Sequence, residues 1–148
     1  MYIFLDVDGV LNTKADWARK VYSLNGKCVS AFCRLVMHVS GPKIVLSSTW
    51  RNGIARDGKT AVHIDDLKKA LEPAYTKDLD KTAVSPDGSR SKEIDHYLRR
   101  HPEDSYLILD DDPMLFDAGD RTPHLYLTDA RTGLTERDVA KIIKRYIR

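Results

Sequence analysis

The stretch that decides the fold is Tyr2–Asn12, which reads Tyr-Ile-Phe-Leu-Asp-Val-Asp-Gly-Val-Leu-Asn. Its first four residues form an apolar run rich in aromatic and branched side chains, which is typical of a strand buried in a parallel sheet. Asp6 and Asp8 follow where the run ends, and Gly9 marks a turn. Because the carboxyl ends of strands in an open α/β sheet face the ligand crevice, both carboxylates are expected at the mouth of a site. The alternative is a simple polar turn, since Asp and Gly are common turn residues for conformational reasons alone.

The rest of the chain alternates short apolar runs with longer amphipathic segments, which is the pattern of βαβ units. Further strands are predicted at residues 43–48, 106–109 and 125–127, with a weak signal at 82–84. Helices are predicted at residues 27–39, 64–71, 91–100 and 135–146. Residues 12–25 are open to two interpretations, a loop or a short helical flap. The pattern predicts an α/β fold, namely a three-layer, doubly wound (Rossmann-like) parallel sheet of about five strands.

The composition is that of a globular domain without a membrane segment. The 148 residues suit one domain, and we expect a single domain over residues 1–148. No apolar run reaches the length that spans a bilayer, and Met1 is followed by strand-like sequence rather than a signal peptide. We therefore expect a cytoplasmic protein. Cys28 and Cys33 lie in a predicted amphipathic helix, where a disulfide or metal site is not expected.

The distribution of charge along the chain is more informative about function than the net charge of +2. That net charge does not by itself indicate nucleic-acid binding. Acidic residues crowd at the ends of two predicted strands, at Asp6, Asp8 and Asp110–Asp112, whereas Lys and Arg are spread along the chain. Such a cluster needs a cation or a proton to be tolerated. Two further kinds of polar group belong with it, namely the hydroxyls of residues 47–49 and Lys92 at a predicted helix start.

This combination predicts phosphoryl transfer. Carboxylates from two strands can hold Mg²⁺, which prefers one or two carboxylates together with water and substrate phosphate. An Asp can attack phosphorus as a nucleophile, and a second carboxylate can move the proton of the leaving oxygen. A hydroxyl and an ammonium group can bind the oxygens of the transferring group.

Four motifs resemble those of the haloacid dehalogenase (HAD) superfamily. Asp6–Val10 resembles its first motif, Asp-x-Asp-Gly-Thr/Val after an apolar strand, and Ile44–Ser48 resembles its second, an apolar strand ending in Ser or Thr. Lys92 at a helix start fits the third motif, and Leu107–Asp111 fits the fourth. The motifs occur in the expected order and span nearly the whole chain. In that family, an Asp two residues after the nucleophile accompanies phosphatases and phosphotransferases rather than dehalogenases.

The resemblance implies a role for each acidic residue. Asp6 is the expected nucleophile and a metal ligand. Asp8 is the expected general acid and base, and its backbone carbonyl is expected to contact Mg²⁺. Asp111 is the expected metal ligand of the fourth motif, with Asp110 as a ligand or a neighbour of one. Asp112 is open to a different interpretation, because it can cap the turn beside Pro113.

Ser48 is the hydroxyl that the resemblance assigns to the phosphoryl group, with Ser47 and Thr49 close enough to replace it. Trp50 has two open interpretations, which are packing beneath the sheet or a stacking platform for a base or other flat group. In the second interpretation Arg51 would clamp a phosphate.

Lys92 is expected to bind phosphate and to screen Asp6. Lys81 and Arg90 are weaker candidates for that role, because neither opens a clear predicted helix. Gly9 belongs to the predicted phosphate-binding set through its place in the first motif.

Members of this family select substrates with cap domains inserted between the first and second motifs or between the second and third. Residues 13–42 and 52–91 leave little room for a cap, so the chain is expected to be capless or nearly so. The sequence of its first two motifs is similar to that of HAD domains associated with RNA-repair proteins, and more loosely to that of polynucleotide phosphatases. The implied function is a Mg²⁺-dependent phosphatase acting through an aspartyl-phosphate on RNA or DNA ends or on nucleotides. The alternatives are a small-molecule phosphatase or nucleotidase, a capless protein phosphatase, and a non-catalytic HAD-fold binding domain.

Overall fold

A five-stranded, all-parallel sheet forms the centre of the molecule in the computed structural model, which describes residues 1–116 and 122–147. The strands are β1 (Tyr2–Leu5), β2 (Lys43–Leu46), β3 (Asp80–Lys81), β4 (Tyr106–Asp110) and β5 (Leu125–Leu127). The helices are α1 (Lys14–Arg19), α2 (Gly26–Met37), α3 (Val62–Leu71), α4 (Arg90–Arg100) and α5 (Glu136–Tyr146). Short 3₁₀ helices span Thr49–Gly53, Pro113–Leu115 and Thr122–His124.

The strand order β3-β2-β1-β4-β5 puts β1 in the middle of the sheet. Leu5 at the end of β1 pairs with Leu46 of β2 and with Leu109 of β4. Hydrogen bonding continues one residue further, because Asp6 N–H donates to the Leu109 carbonyl at 3.0 Å and Ser47 N–H donates to the Leu5 carbonyl at 3.0 Å. The next residue of each central strand, namely Asp6, Ser47 or Asp110, therefore lies at the same level of the sheet.

Helices cover both faces of the sheet, as the doubly wound prediction requires. One face carries Leu5, Leu46 and Leu109 and packs against apolar residues of α2, α3 and α5. The opposite face carries Phe4, Val45 and Ile108 and packs against α4. Because side chains alternate along a strand, Asp6, Ser47 and Asp110 extend the second face, toward the start of α4.

The predicted fold class is confirmed, with small shifts of individual elements. The weak third strand lies at residues 80–81 rather than 82–84, and residues 12–25 contain the short helix α1 followed by a loop. Helix α4 begins at Arg90, one residue earlier than predicted. Within the described residues, no segment between the motifs forms a cap domain, and no helix there is long and apolar enough to cross a membrane.

Candidate active site

Arg90 joins two buried carboxylates at the carboxyl ends of β1 and β4. Its Nη1 atom lies 3.2 Å from Asp6 Oδ1 and 2.9 Å from Asp110 Oδ2. Burial raises the pKa of Asp6 well above its usual range, and the charge of Asp110 adds to this while Arg90 opposes it. Burial also raises the pKa of Asp110, to about 6, against the opposing effect of Arg90.

The acidic residues that meet here have the chemistry of a site for a hard divalent cation. Carboxylate oxygens of Asp6, Asp110 and Asp111 lie within 4.8 Å of one another, a spacing that permits them to bind one ion. When all three are ionised, the single positive charge of Arg90 leaves an excess of two negative charges, which one Mg²⁺ would neutralise. The residues therefore fit the metal that the sequence predicted.

Asp8 is held by two N–H donors on the same carboxylate oxygen. Its Oδ1 accepts a hydrogen bond from Asn12 Nδ2 at 2.9 Å and another from the Trp50 indole Nε1 at 3.2 Å. Asn12 is itself buried, and it also donates to the Ser23 carbonyl and accepts from the Gly9 N–H. The orientation of Asp8 thus depends on residues of three separate segments.

Gly9 gives the turn between these carboxylates its shape. Its φ of +86° favours glycine, and a Cβ at this position would lie 2.4 Å from Asp111 Oδ2. Its carbonyl accepts a hydrogen bond of 2.7 Å from the Thr128 hydroxyl, which ties the turn to the segment after β5. The first and fourth motifs consequently approach each other closely only because residue 9 has no side chain.

The three hydroxyl residues after β2 have different surroundings. Ser48 Oγ accepts a hydrogen bond of 3.1 Å from Trp50 N–H and caps the 3₁₀ helix Thr49–Gly53. Thr49 is exposed at the start of that helix. Ser47 lies level with Asp6 on the same face of the sheet, and its buried hydroxyl oxygen has no hydrogen-bond partner among the described residues. Ser47, an alternative in the sequence analysis, is the hydroxyl that the register brings beside Asp6.

Lys92, the predicted phosphate-binding lysine, lies outside the cluster. Its side chain is 61% exposed and pairs with Asp87. Arg90 takes the position beside Asp6, because Ser89 caps α4 and Arg90 is its first residue. The sequence contained a signal for this arrangement, since Arg90, Ile94 and Tyr97 follow the i, i+4, i+7 spacing of one helix face.

Trp50 and Arg51 both turn inward. Trp50 is 1% exposed, so it has no open face for a base and the packing alternative describes it. Arg51 is buried and forms two hydrogen bonds with the Glu93 carboxylate, at 3.1 and 2.9 Å, and a third with the Thr82 hydroxyl at 3.2 Å. The expectation that Arg51 clamps a phosphate is therefore wrong. The sequence analysis missed Glu93 as its partner, because the two residues lie 42 positions apart.

The Arg51–Glu93 pair leads to a stability prediction. Replacing Arg51 with Ala removes both guanidinium hydrogen bonds from the buried Glu93 carboxylate, which keeps only the Ser85 N–H and the more distant Arg90, so the free energy of unfolding should fall by about 3 kcal/mol. The matched control is Arg34→Ala, which removes a half-exposed ion pair with Glu136 and should cost at most about 1 kcal/mol. Urea denaturation followed by circular dichroism measures both. Equal losses in the two variants would contradict the structural role of Arg51.

Comparison with protein families matches residues 2–139 to the HAD domain in Swiss Army Knife RNA repair proteins. The matched segment contains all five strands and every site residue described above. No curated protein and no solved structure matches the chain. The resemblance to HAD domains associated with RNA-repair proteins, predicted from the four motifs, is confirmed. The chain therefore belongs to the family of HAD domains found in Swiss Army Knife RNA repair proteins.

Proposed function

We propose that this domain is a Mg²⁺-dependent phosphomonoester hydrolase that acts on the phosphorylated ends of a polynucleotide. The observation that carries the proposal is the buried cluster of Asp6, Asp110 and Asp111 with Arg90, in which a nucleophile, metal ligands and a phosphate-binding cation occupy one strand edge. Membership of a HAD family supports the phosphatase chemistry.

Asp6 is the nucleophile of the proposed reaction. One of its carboxylate oxygens forms a bond to phosphorus while the bond from phosphorus to the leaving oxygen breaks, which gives an aspartyl-phosphate. A water molecule then attacks the same phosphorus, the Asp6–phosphate bond breaks, and the Asp6 carboxylate is restored with release of inorganic phosphate. Asp6, Asp110 and Asp111, with the backbone carbonyl of Asp8, would hold Mg²⁺, which supplies charge neutralisation to the phosphoryl oxygens.

Asp8 is the proposed proton donor and acceptor. Both N–H donors that reach Asp8 bind Oδ1, so the proton of the acid form is best carried on Oδ2. In the first half of the reaction Oδ2 gives this proton to the leaving oxygen, and in the second half it takes one from the attacking water. Trp50 and Asn12 act through Asp8 and are positioning residues.

Arg90 and Ser47 are the proposed ligands of the phosphoryl group. The guanidinium already contacts Asp6 Oδ1, which places positive charge next to the attacked phosphorus. The unpaired Ser47 hydroxyl lies on the same face of the sheet and can donate to a phosphoryl oxygen. These residues replace Lys92 and Ser48 in the roles that the sequence analysis gave them.

Two arguments support a polynucleotide end as the substrate. The crevice carries no cap among the described residues, so a bulky chain end can enter it. The matched family is described by its occurrence in RNA repair proteins, which favours a nucleic acid as the substrate. The substrate assignment rests on these arguments and on the aromatic residues considered in the next subsection.

The function is tested by phosphate release from a substrate panel with and without Mg²⁺. We expect Mg²⁺-dependent release from a 3′-phosphorylated oligonucleotide to exceed release from mononucleotides and from phosphopeptides, and Asp6→Asn to abolish it. Preference for mononucleotides would favour a nucleotidase, and preference for phosphopeptides a protein phosphatase. A wild-type protein that releases phosphate from no member of the panel would falsify the catalytic proposal.

The exchange of roles between Arg90 and Lys92 has its own test. Arg90→Ala removes the cation beside Asp6 and should lower kcat by about 100- to 1,000-fold, the usual cost of losing one preorganised donor. Arg90→Lys, which keeps the charge but not the planar guanidinium, should retain part of the activity. The matched control is Lys92→Ala, two residues along the same helix, which should change kcat by no more than a few-fold. A large loss in Lys92→Ala instead would restore the original assignment.

The dependence of Asp8 on Trp50 is testable through the leaving group. Trp50→Phe keeps an aromatic ring but removes the indole N–H, so proton donation by Asp8 should weaken. Release from a nucleoside 3′-phosphate, whose alkoxide needs a proton, should fall about tenfold more than release from p-nitrophenyl phosphate, a fraction of the roughly 10²–10⁴ that general acids contribute. Equal losses on the two substrates would mean that Trp50 supports only the general architecture of the site.

A further inference from the structure

Tyr22 is an aromatic residue at the crevice that the proposed chemistry does not use. It lies in the loop between α1 and α2, its side chain is 46% exposed, and its φ is +58°. A bulky residue with a Cβ rarely adopts this left-handed conformation, and residues held in it cluster at functional sites. The loop is attached to the site, because Asn12 donates both to Asp8 Oδ1 and to the Ser23 carbonyl.

His63, near the start of α3, supports the Tyr22 ring from one side. The two rings are parallel within 6°, and their centroids are 3.7 Å apart. His63 Nε2 lies 3.2 Å from the Trp50 carbonyl oxygen, within hydrogen-bond distance. It also fills the space beside Gly53, where a Cβ would lie 2.5 Å from Nε2. The position of His63 is therefore determined by the backbone of the 3₁₀ helix, and Tyr22 is stacked on a rigid support.

Trp50 stands beside this pair and does not itself cover the outer face of Tyr22. Its ring centroid is 5.3 Å from that of Tyr22 and 5.4 Å from that of His63, and its plane is nearly perpendicular to both. A ring covering the outer face of Tyr22 would be much farther from His63 than from Tyr22. The equal distances therefore place Trp50 at the side of the stack, and the exposure of Tyr22 is consistent with an accessible outer face.

The stack is directly connected to the reacting centre. The same indole that touches both rings donates its N–H to Asp8 Oδ1. One aromatic side chain thus separates the Tyr22 ring from the proposed proton donor. A flat group that stacks on Tyr22 would belong to the part of the substrate adjoining the phosphate.

We propose that the outer face of Tyr22 binds the nucleobase of the nucleotide that carries the phosphate, as the third ring of a stack with Tyr22 and His63. This inference rests on the polynucleotide phosphatase activity proposed above. Every base has a π face, so stacking of this kind tolerates any sequence. A phosphoserine side chain or a small sugar phosphate has no aromatic ring to stack on this surface, so the stack favours a nucleotide as the substrate.

The experiment compares two 3′-phosphorylated oligonucleotides that differ only in whether the terminal nucleotide carries a base or is abasic. With the wild-type chain, we expect KM to be about tenfold lower for the base-bearing oligonucleotide, as one base–aromatic stack warrants. Tyr22→Ala should abolish this ratio and Tyr22→Phe should preserve it. The matched control is Val21→Ala, which truncates the neighbouring exposed residue of the same loop and should preserve the ratio.

Three outcomes overturn the proposal, and all of them differ from failure of the phosphatase chemistry. If the wild-type chain cleaves both oligonucleotides with equal KM, or if Tyr22→Ala keeps the ratio, stacking is wrong while the phosphatase stands. If the chain cleaves a phosphotyrosine peptide more efficiently than either oligonucleotide, Tyr22 stacks on the phosphotyrosine ring rather than on a nucleobase. Direct binding of both oligonucleotides to the Asp6→Asn variant separates the two proposals, since a preference for the base there supports stacking even without turnover.

Discussion

The contact on which the site depends is the one that Arg90 makes with Asp6 and Asp110. Two carboxylates at adjacent strand ends, with Asp111 close by, repel one another when ionised, and burial makes this repulsion stronger than it would be in water. A guanidinium compensates the repulsion only if it reaches both oxygens, and α4 holds it there by packing Ile94 and Tyr97 on the sheet. The packing of one helix therefore determines whether Asp6, the proposed nucleophile, can be buried.

A second ion pair extends this arrangement away from the site. Glu93, one turn from Arg90, holds Arg51 through two hydrogen bonds and also accepts from the Ser85 N–H. Its carboxylate lies 3.9 Å from Arg90 Nε. Because Arg51 belongs to the 3₁₀ helix that carries Trp50, this network joins α4 to the segment that orients Asp8. Arg90 and the segment of Trp50, which donates to Asp8, are thus linked through the buried Glu93 carboxylate.

Periodicity and motif order were enough to predict the parallel sheet, its helices and the acidic residues at its edge, because these depend on local patterns. The sequence analysis expected Lys92 beside Asp6, whereas the structure has Arg90 there, because the identity of this cation depends on helical phase. Ser89 and Ser91 are both acceptable N-caps, and only the cap at Ser89 puts residue 90 on the face of Ile94, whereas residue 92 lies about 200° around the helix from Ile94. The sequence could not find the partners of Trp50 and Arg51 for a different reason, since Asp8 and Glu93 are each 42 residues away from them. The stack of Tyr22 on His63 has no local signal, because it depends on a positive φ in a loop.

The positions of the two stacked residues fit the proposed selection of a substrate by a fold without a cap. In the HAD superfamily, cap domains are inserted between the first and second motifs or between the second and third. Tyr22 lies in the first of these segments and His63 in the second. The loop before α2 contributes one ring and the start of α3 contributes the other, and Trp50 joins them to Asp8. In the proposed function, the charged wall supplied by α4 suits any phosphomonoester, so discrimination between substrates would come from the aromatic residues of the opposite wall.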